Sequence, residues 1–245
     1  MPQMDAEASV ALVTGATGGI GKEIARQLAA AGWSVLVGAR DRARGAKAVA
    51  EVGGQLLLLD VTDPLSIAAA AESVPRLDVL INNAGIAPDT GTIVTETEVD
   101  VFRRTYETNV FGVVAVTNAF LPSLRRSDHP RIVNISSGTG SLTWSSAANS
   151  QFDFRAASRG AGAAYRSSKT PLNALTVFYA QALADDGIKV NALAPGLRAT
   201  NLNPQALAAG GDPSEAAAAA IRLALLPDDG PTGQLVSWDG TVAPW

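Results

Sequence analysis

The sequence predicts an α/β protein built on a single doubly wound, mainly parallel β-sheet of about seven strands. Three observations carry that expectation. Short apolar, β-branched runs alternate with alanine-rich or amphipathic segments of about ten or more residues, the pattern of a parallel sheet covered on both faces. The first apolar run ends in a glycine-rich turn that opens directly into a helix, the start of a βαβ unit. No linker and no internal repeat divides the 245 residues, so residues 1–245 are expected to form one domain.

Taken in order, residues 9–14 (SVALVT) form the first strand, 22–31 a helix stopped by Gly32, and 33–38 (WSVLVG) the second strand. Residues 42–52 read as helix and 55–59 (QLLLL) as a strand ending at Asp60. Thr62-Asp63-Pro64 supplies a capping side chain and a proline suited to a first turn, which places a helix over 65–73. Residues 78–82 (DVLIN) are the fourth strand, 98 to about 124 a long helix, and 131–136 (RIVNIS) the fifth strand. The rhythm then breaks. Residues 138–162 are small and polar and fit no period, so they are expected to form an insertion or flexible loop. Helix resumes over 163–184, followed by a strand at 188–194 (IKVNALA), a loop with a short helix at 197–213, and a helix at 215–226. Residues 234–237 make a last short strand, and 239–245 a tail whose Trp245 is expected to dock.

Composition removes whole classes of function. With 47% apolar and 17% charged residues the chain is not of disordered type. The formal charge is −4 and no basic run appears, which argues against nucleic acid as a partner. Cysteine is absent and His129 is the single histidine, so disulfides, thiolate chemistry and multi-histidine metal sites are excluded. His129 lies in a turn-like Ser-Asp-His-Pro stretch and reads as a surface residue. The first eight residues lack a secretory pattern, and no run of 18 apolar residues could span a membrane. A soluble, cytoplasmic protein with no membrane partner is the expectation.

Sheets of this kind bind ligands beyond the carboxyl ends of their strands, and the suggestive residues fall there. Gly15, Gly19 and Gly21 make a turn, with Thr17 and Ile20 inside it, whose backbone N–H groups can approach a pyrophosphate at a helix start. After strand two, Arg40 stands where a guanidinium suits a ribose 2′-phosphate, although the adjacent Asp41 could pair with it instead. Asp60-Val61 could meet an adenine amine, or Asp60 could serve the next helix. Asn83-Ala84-Gly85, Ser136-Ser137, and Pro195-Gly196 with Thr200 beyond complete the edge. Tyr165 and Lys169 are four residues apart and share a helix face. An ammonium beside a phenol stabilises the phenolate and draws its pKa toward neutrality, as acid–base work at a carbonyl oxygen requires.

Together Thr14-Gly15-x-x-x-Gly19-x-Gly21, Asn83-Ala84-Gly85, Asn109, Ser137, Tyr165-x-x-x-Lys169 and Pro195-Gly196 resemble the short-chain dehydrogenase/reductase family, over essentially the whole chain. Within it, Gly38-Ala39-Arg40-Asp41-x-x-Arg44-Gly45 and the ending up to Trp245 look like those of the NADPH-dependent carbonyl reductases. The resemblance implies a Rossmann-type fold and a hydride transfer between a nicotinamide and a carbonyl or secondary alcohol. Tyr165 would be the proton donor or acceptor. Lys169 would lower its pKa and hold the nicotinamide ribose, Ser137 (rather than Ser136) would bond the substrate carbonyl, and Asn109 would anchor a water chain to Lys169. The preference for NADP(H) over NAD(H) rests on Arg40, with Arg44 as a second candidate, because Gly18 stands where many NADP-specific members carry a basic residue. Pro171, inside the helix of Tyr165 and Lys169, cannot bond the Ser167 carbonyl and should bend or tighten that helix. The 27 residues between Ser137 and Tyr165 are an insertion of intermediate length, which favours a monomer while leaving a homo-oligomer possible. A 3-oxoacyl-carrier-protein reductase is the alternative enzyme, and a non-catalytic NADP-binding sensor the alternative outside enzymology.

Overall fold

The computed structural model describes residues 8–146, 160–202 and 204–245. Eight strands form one sheet in the order β3-β2-β1-β4-β5-β6-β7-β8. They are β1 (Val10–Thr14), β2 (Ser34–Ala39), β3 (Gln55–Leu58), β4 (Val79–Asn82), β5 (Arg131–Ile135), β6 (Lys189–Ala194), β7 (Leu235–Ser237) and β8 (Val242–Ala243). All neighbours are parallel except β7 and β8. The chain starts in the middle, winds out to β3, and returns across β1 to wind the other way. The crevice of such a sheet lies where the strand order reverses, between β1 and β4.

The sheet has two buried faces because its strands are apolar at consecutive positions. Ala11, Val13, Val79, Ile81 and Val133 pack on one side against Ile24, Ala25 and Leu28 of α1 (Gly19–Ala30) and Ala217, Ala220 and Leu223 of a late helix, Pro213–Ala224. Leu12, Leu80, Ile132 and Val190 point the other way, against Val116, Phe120 and Leu124 of α5 (Gly112–Leu124). Each fully buried side chain of this size contributes about 1.5–3 kcal/mol, so register is fixed from both sides.

Helix ends follow local chemistry. Asp41 caps α2 (Arg42–Val52) by accepting the Arg44 N–H at 2.8 Å. Asp63 caps α3 (Pro64–Glu72), with Pro64 in its first turn as expected. The long helix expected over 98–124 is three pieces in continuous succession: α4 (Val99–Tyr106), a π-turn (Glu107–Phe111) and α5. Such π-turns recur at functional sites, and this one holds Asn109.

The tail carries a short strand, Val242–Ala243, which pairs with β7 and brings the sheet to eight strands, close to the seven expected. Trp245 docks through its carbonyl, which accepts the N–H and hydroxyl of Thr143, while the residue as a whole stays 41% exposed. The expected 138–162 loop opens as helix instead, with a 3₁₀ turn at Gly138–Gly140 and α6 at Leu142–Ser146. Ser137 caps the first through the Thr139 N–H, and Ser141 bonds the Trp144 N–H at the start of the second. Residues 147–159 of that expected loop lie outside the described residues. Helix α7 (Ala163–Ala182) runs without interruption through Pro171. A short helix, α8 (Pro204–Ala209), sits in the 197–213 segment as anticipated, and α9 (Pro213–Ala224) follows it.

Candidate active site

The carboxyl edge of the sheet is assembled by backbone packing before any ligand enters. Thr14 closes β1, and its hydroxyl accepts the N–H groups of Asn83 and Ala84 at 2.9 and 3.0 Å. The Asn83 amide donates to the carbonyls of Thr14 and Gly15 at 2.9 and 3.2 Å. The β1 and β4 loops are therefore clamped together at the point where the strand order reverses. This clamp explains two motif glycines. A Cβ on Gly15 would meet the Ala84 Cα at 2.9 Å, and φ there is +63°. A Cβ on Gly21 would collide with the Asn83 amide.

Gly19 faces elsewhere. It has φ +55°, and a Cβ there would sit 3.1 Å from the Thr200 methyl, so Thr200 in the loop after β6 is brought against the glycine turn. Gly18, at the N-cap of α1, has extended backbone and open space around it. No side chain caps α1 and no acid lies in its first turn. Thr17 lines a cavity of about 230 Å³ with Lys22, Arg44, Lys47, Ala48 and Glu51. Lys22 is paired to Glu51 at 2.7 Å.

Arg40 is exposed at the end of β2 and is not taken up by Asp41, whose carboxylate is spent on capping α2. Asp60 turns its carboxylate to the N–H and hydroxyl of Thr62, at 2.9 and 2.7 Å. Burial works to raise that carboxyl; the Thr62 bonds and the Arg40 charge outweigh it and hold it below its usual value. Val61 backs onto Gly112, where a Cβ would meet its carbonyl at 2.8 Å. Gly196, with φ +71°, gives room to the Trp238 ring, and the Pro195 carbonyl accepts from Arg198 at 2.7 Å.

The second half of the edge is α7 laid against β5. Lys169 is 4% exposed, donates to the Ile135 carbonyl at 2.8 Å, and stands 5.7 Å from the centroid of the Tyr165 ring. A Cβ on Gly140 would strike the Lys169 backbone, so the 3₁₀ turn packs directly on this part of the helix. Ser136 and Ser137 have separate fates. Ser136 is buried and donates to Asn173 at 2.5 Å, which pins α7 to the sheet. Ser137 keeps part of its surface open, pairs with the Thr139 hydroxyl at 2.8 Å, and faces the Tyr165 phenol.

Asn109 is fully buried and fully engaged. Its amide oxygen accepts the Ile86 N–H, and its nitrogen donates to the Ile86 carbonyl and to Ser168, at 2.9, 2.9 and 3.0 Å. Its side chain is a brace between the loop after β4 and α7, with no donor left over for a water chain.

The electrostatics differ from the expectation at Tyr165. Burial pushes the phenol above its usual value, and the contact with Ser137 works in the opposite direction. Burial also lowers the Lys169 ammonium from 10.5 to about 8. The ammonium is turned to the Ile135 carbonyl, so desolvation rather than the neighbouring charge dominates the phenol.

Sequence reasoning missed Thr14 as a clamp, Thr139, and Asp89, which is 2% exposed and bonds the start of α7. Thr14 was visible in the glycine motif. Asp89 had no sequence signal, since its partner is 75 residues away.

The fold and this edge define a dinucleotide-binding α/β protein with a tyrosine–lysine pair at the crevice. The family model for short chain dehydrogenases matches residues 9–150, and the chain belongs to the short-chain dehydrogenase/reductase family of nicotinamide-dependent oxidoreductases. Salutaridine reductase of Papaver bracteatum is 32% identical, over 91% of this chain and 92% of its own. (+)-Neomenthol dehydrogenase of Arabidopsis thaliana is 41% identical over 165 residues, and there the match spans only 54% of each chain. Among solved structures, the NADPH-bound carbonyl reductase from chicken fatty liver superposes with a TM-score of 0.81 at 28% identity, covering 98% of this chain and all of that one. Among the described residues no helix is long and apolar enough to cross a membrane, and no cluster of metal-ligating side chains occurs.

Proposed function

We propose that the protein is an NADP(H)-dependent oxidoreductase that interconverts a carbonyl and a secondary alcohol, with Tyr165 as general acid and base. The observation that carries this reading is Tyr165 held between Ser137 and Lys169 at the carboxyl edge of the sheet. The residues present fit a dinucleotide. Three Asp-capped helices, α2, α3 and α9, have an internal acceptor at their N-termini, whereas α1 has none and opens on the glycine turn. Those free N–H groups and the positive end of the helix suit a pyrophosphate. Gly15, Thr17, Gly19, Ile20 and Gly21 would cradle it; Asn83, Ala84, Gly85, Pro195, Gly196 and Thr200 would line its nicotinamide side.

When bound, the cofactor supplies or takes the hydride at nicotinamide C4. The chain's own residues manage the proton. In the reductive direction the Ser137 hydroxyl holds the substrate oxygen and stabilises charge developing there. Tyr165 then gives its phenolic proton to that oxygen as the carbon gains hydride, and the alcohol forms. Burial suits this direction, because a raised pKa keeps the phenol protonated near neutral pH. Lys169 stays charged at neutral pH even at about 8, holds the ribose and steadies the tyrosinate left behind. Asn109 braces the helix; a proton relay to Lys169 would begin at its main chain, since its amide is spoken for.

For the 2′-phosphate, Arg40 stands open at the end of β2, and Arg44 and Lys47 line the cavity beside Thr17. The test is oxidation of NADPH and of NADH, followed by absorbance, with a panel of ketones, aldehydes, quinones and 3-oxoacyl thioesters. Turnover with NADPH is expected at least about tenfold better than with NADH. Arg40→Ala combined with Arg44→Ala should erase the difference by weakening NADPH alone, as loss of one or two charged hydrogen bonds would. No turnover with any carbonyl, alongside tight NADPH binding, would favour a sensor instead.

A further inference from the structure

We propose that Asp89 is a positioning residue for the Tyr165 phenol, fixing the first turn of α7 from the loop after β4. The proposal rests on the reading of Tyr165 as the acid–base group. Helix α7 begins after Gly162, which has φ +71° and no side chain with which to cap. The first N–H groups of a helix have no partner within it. Here the partner comes from far along the chain. Asp89 Oδ2 accepts the Ala164 N–H at 2.6 Å, and Oδ1 accepts the N–H of Tyr165 itself at 3.3 Å. The carboxylate is 2% exposed, and its charge lies at the positive end of the helix.

The contact is stitched on both sides. The Asp89 carbonyl accepts the Thr92 N–H, and the Thr92 carbonyl accepts the Gly162 N–H, at 3.0 and 3.1 Å. Ile93 and Ala161 form an antiparallel bridge. The loop that follows Asn83-Ala84-Gly85 and the helix that carries Tyr165 and Lys169 therefore move as one body. Ser137 belongs to a different element, the cap of the 3₁₀ turn just beyond β5. A shift of the first turn of α7 thus changes the approach of the phenol to Ser137, the contact that works to lower its pKa.

A cap that is merely structural changes the melting temperature and leaves the folded enzyme's chemistry alone. The two are separated with Asp89→Ala and Asp89→Asn, the latter keeping the size and one acceptor. Tyr165 ionisation is followed by phenolate absorbance, with Tyr165→Phe as the blank for Tyr106 and Tyr179; Lys169 and Arg166, the cations of the same turns, stay in every variant. Turnover is measured with 9,10-phenanthrenequinone at saturating NADPH. In Asp89→Ala the Tyr165 titration is expected to move up and kcat to fall roughly tenfold, with NADPH affinity within about twofold of the parent, the pattern of lost transition-state alignment. Asp89→Asn should lie between, and it carries the test alone if the alanine variant does not fold. An unchanged titration and kcat in a less stable protein would reduce Asp89 to a cap. A downward titration would mean it acts through its charge and not through position, and would equally overturn the proposal. Retained turnover in Tyr165→Phe would sink the acid–base reading instead, while the titration would still report on Asp89.

Discussion

Two helix starts meet at one edge of the sheet, and they are finished in opposite ways. The start of α1 is left open: Gly18 offers no side chain, and no acid follows in the first turn. The start of α7 is closed from within by a buried carboxylate delivered from another loop. Both ends carry the same partial positive charge, so the difference lies in what the chain has placed there. An end left open beside a glycine turn is prepared for an anion from outside. An end already neutralised is prepared to hold its own side chains still, and it is the one that bears Tyr165 and Lys169.

The sharpest way to break the contrast is to close the open end. Gly18→Asp meets no steric obstacle, since its backbone is extended and nothing stands within 4 Å of a Cβ. The new carboxylate should cap α1, stabilise the free protein by a few tenths of a kcal/mol, on the order of 0.3, and occupy the donors a pyrophosphate needs. NADPH affinity should fall by about a thousandfold, roughly 4 kcal/mol. Fluorescence titration and a thermal melt read both; a variant that gained stability and bound NADPH normally would show that α1 is not where the cofactor's phosphates sit.

Removing the brace behind the closed end is the next largest effect. Asn109→Ala strands the Ile86 N–H and carbonyl and leaves Ser168 without its donor. At about 1 kcal/mol for each buried group left unsatisfied, urea unfolding should show a loss of roughly 3 kcal/mol. A loss below about 1 kcal/mol would mean that solvent reaches these groups.

Lys169 gives a smaller, pH-dependent signature of the same closed region. Its folded pKa is lowered from 10.5 to about 8, so between those values the unfolded chain binds more protons and stability rises with pH. Below about 8 the cost of the buried ammonium is fully present. Tyr165 is shifted upward from 10.0 and acts in the opposite sense, removing stability as pH rises beyond the unfolded value. Relative to Lys169→Met, the parent should gain roughly 2 kcal/mol between about pH 7.5 and 10, given about 1.4 kcal/mol per pKa unit. A pH-independent difference would place the ammonium in contact with water.

The two ends were not equally readable in the sequence. The open end is written in residues adjacent in the chain, because a glycine turn between a strand and a helix is a local statement. Even so, Gly15 and Gly21 turn out to be required by Ala84 and Asn83 across the crevice. The succession of strands and helices and the tyrosine–lysine pair were legible for the same reason: period and spacing encode them. The closed end depends on Asp89, Asn109 and the Ile135 carbonyl, which reach α7 across 75, 59 and 34 residues, and spacing carries no trace of such pairings. The residues after Ser137 looked like loop because serines and glycines dominate them, yet Ser137 and Ser141 are the side chains that start the 3₁₀ turn and α6. Two residues, Val242 and Ala243, were too short a run to read as a strand.

The central claim is that Tyr165 carries the proton while other groups hold the cofactor, and Tyr165→Phe tests it most directly. Removing one phenolic oxygen should lower carbonyl reduction with NADPH by at least about a thousandfold, the scale of a lost general acid, while NADPH still binds within a few fold of the parent. Turnover within about tenfold of the parent, with the cofactor bound as before, would contradict it.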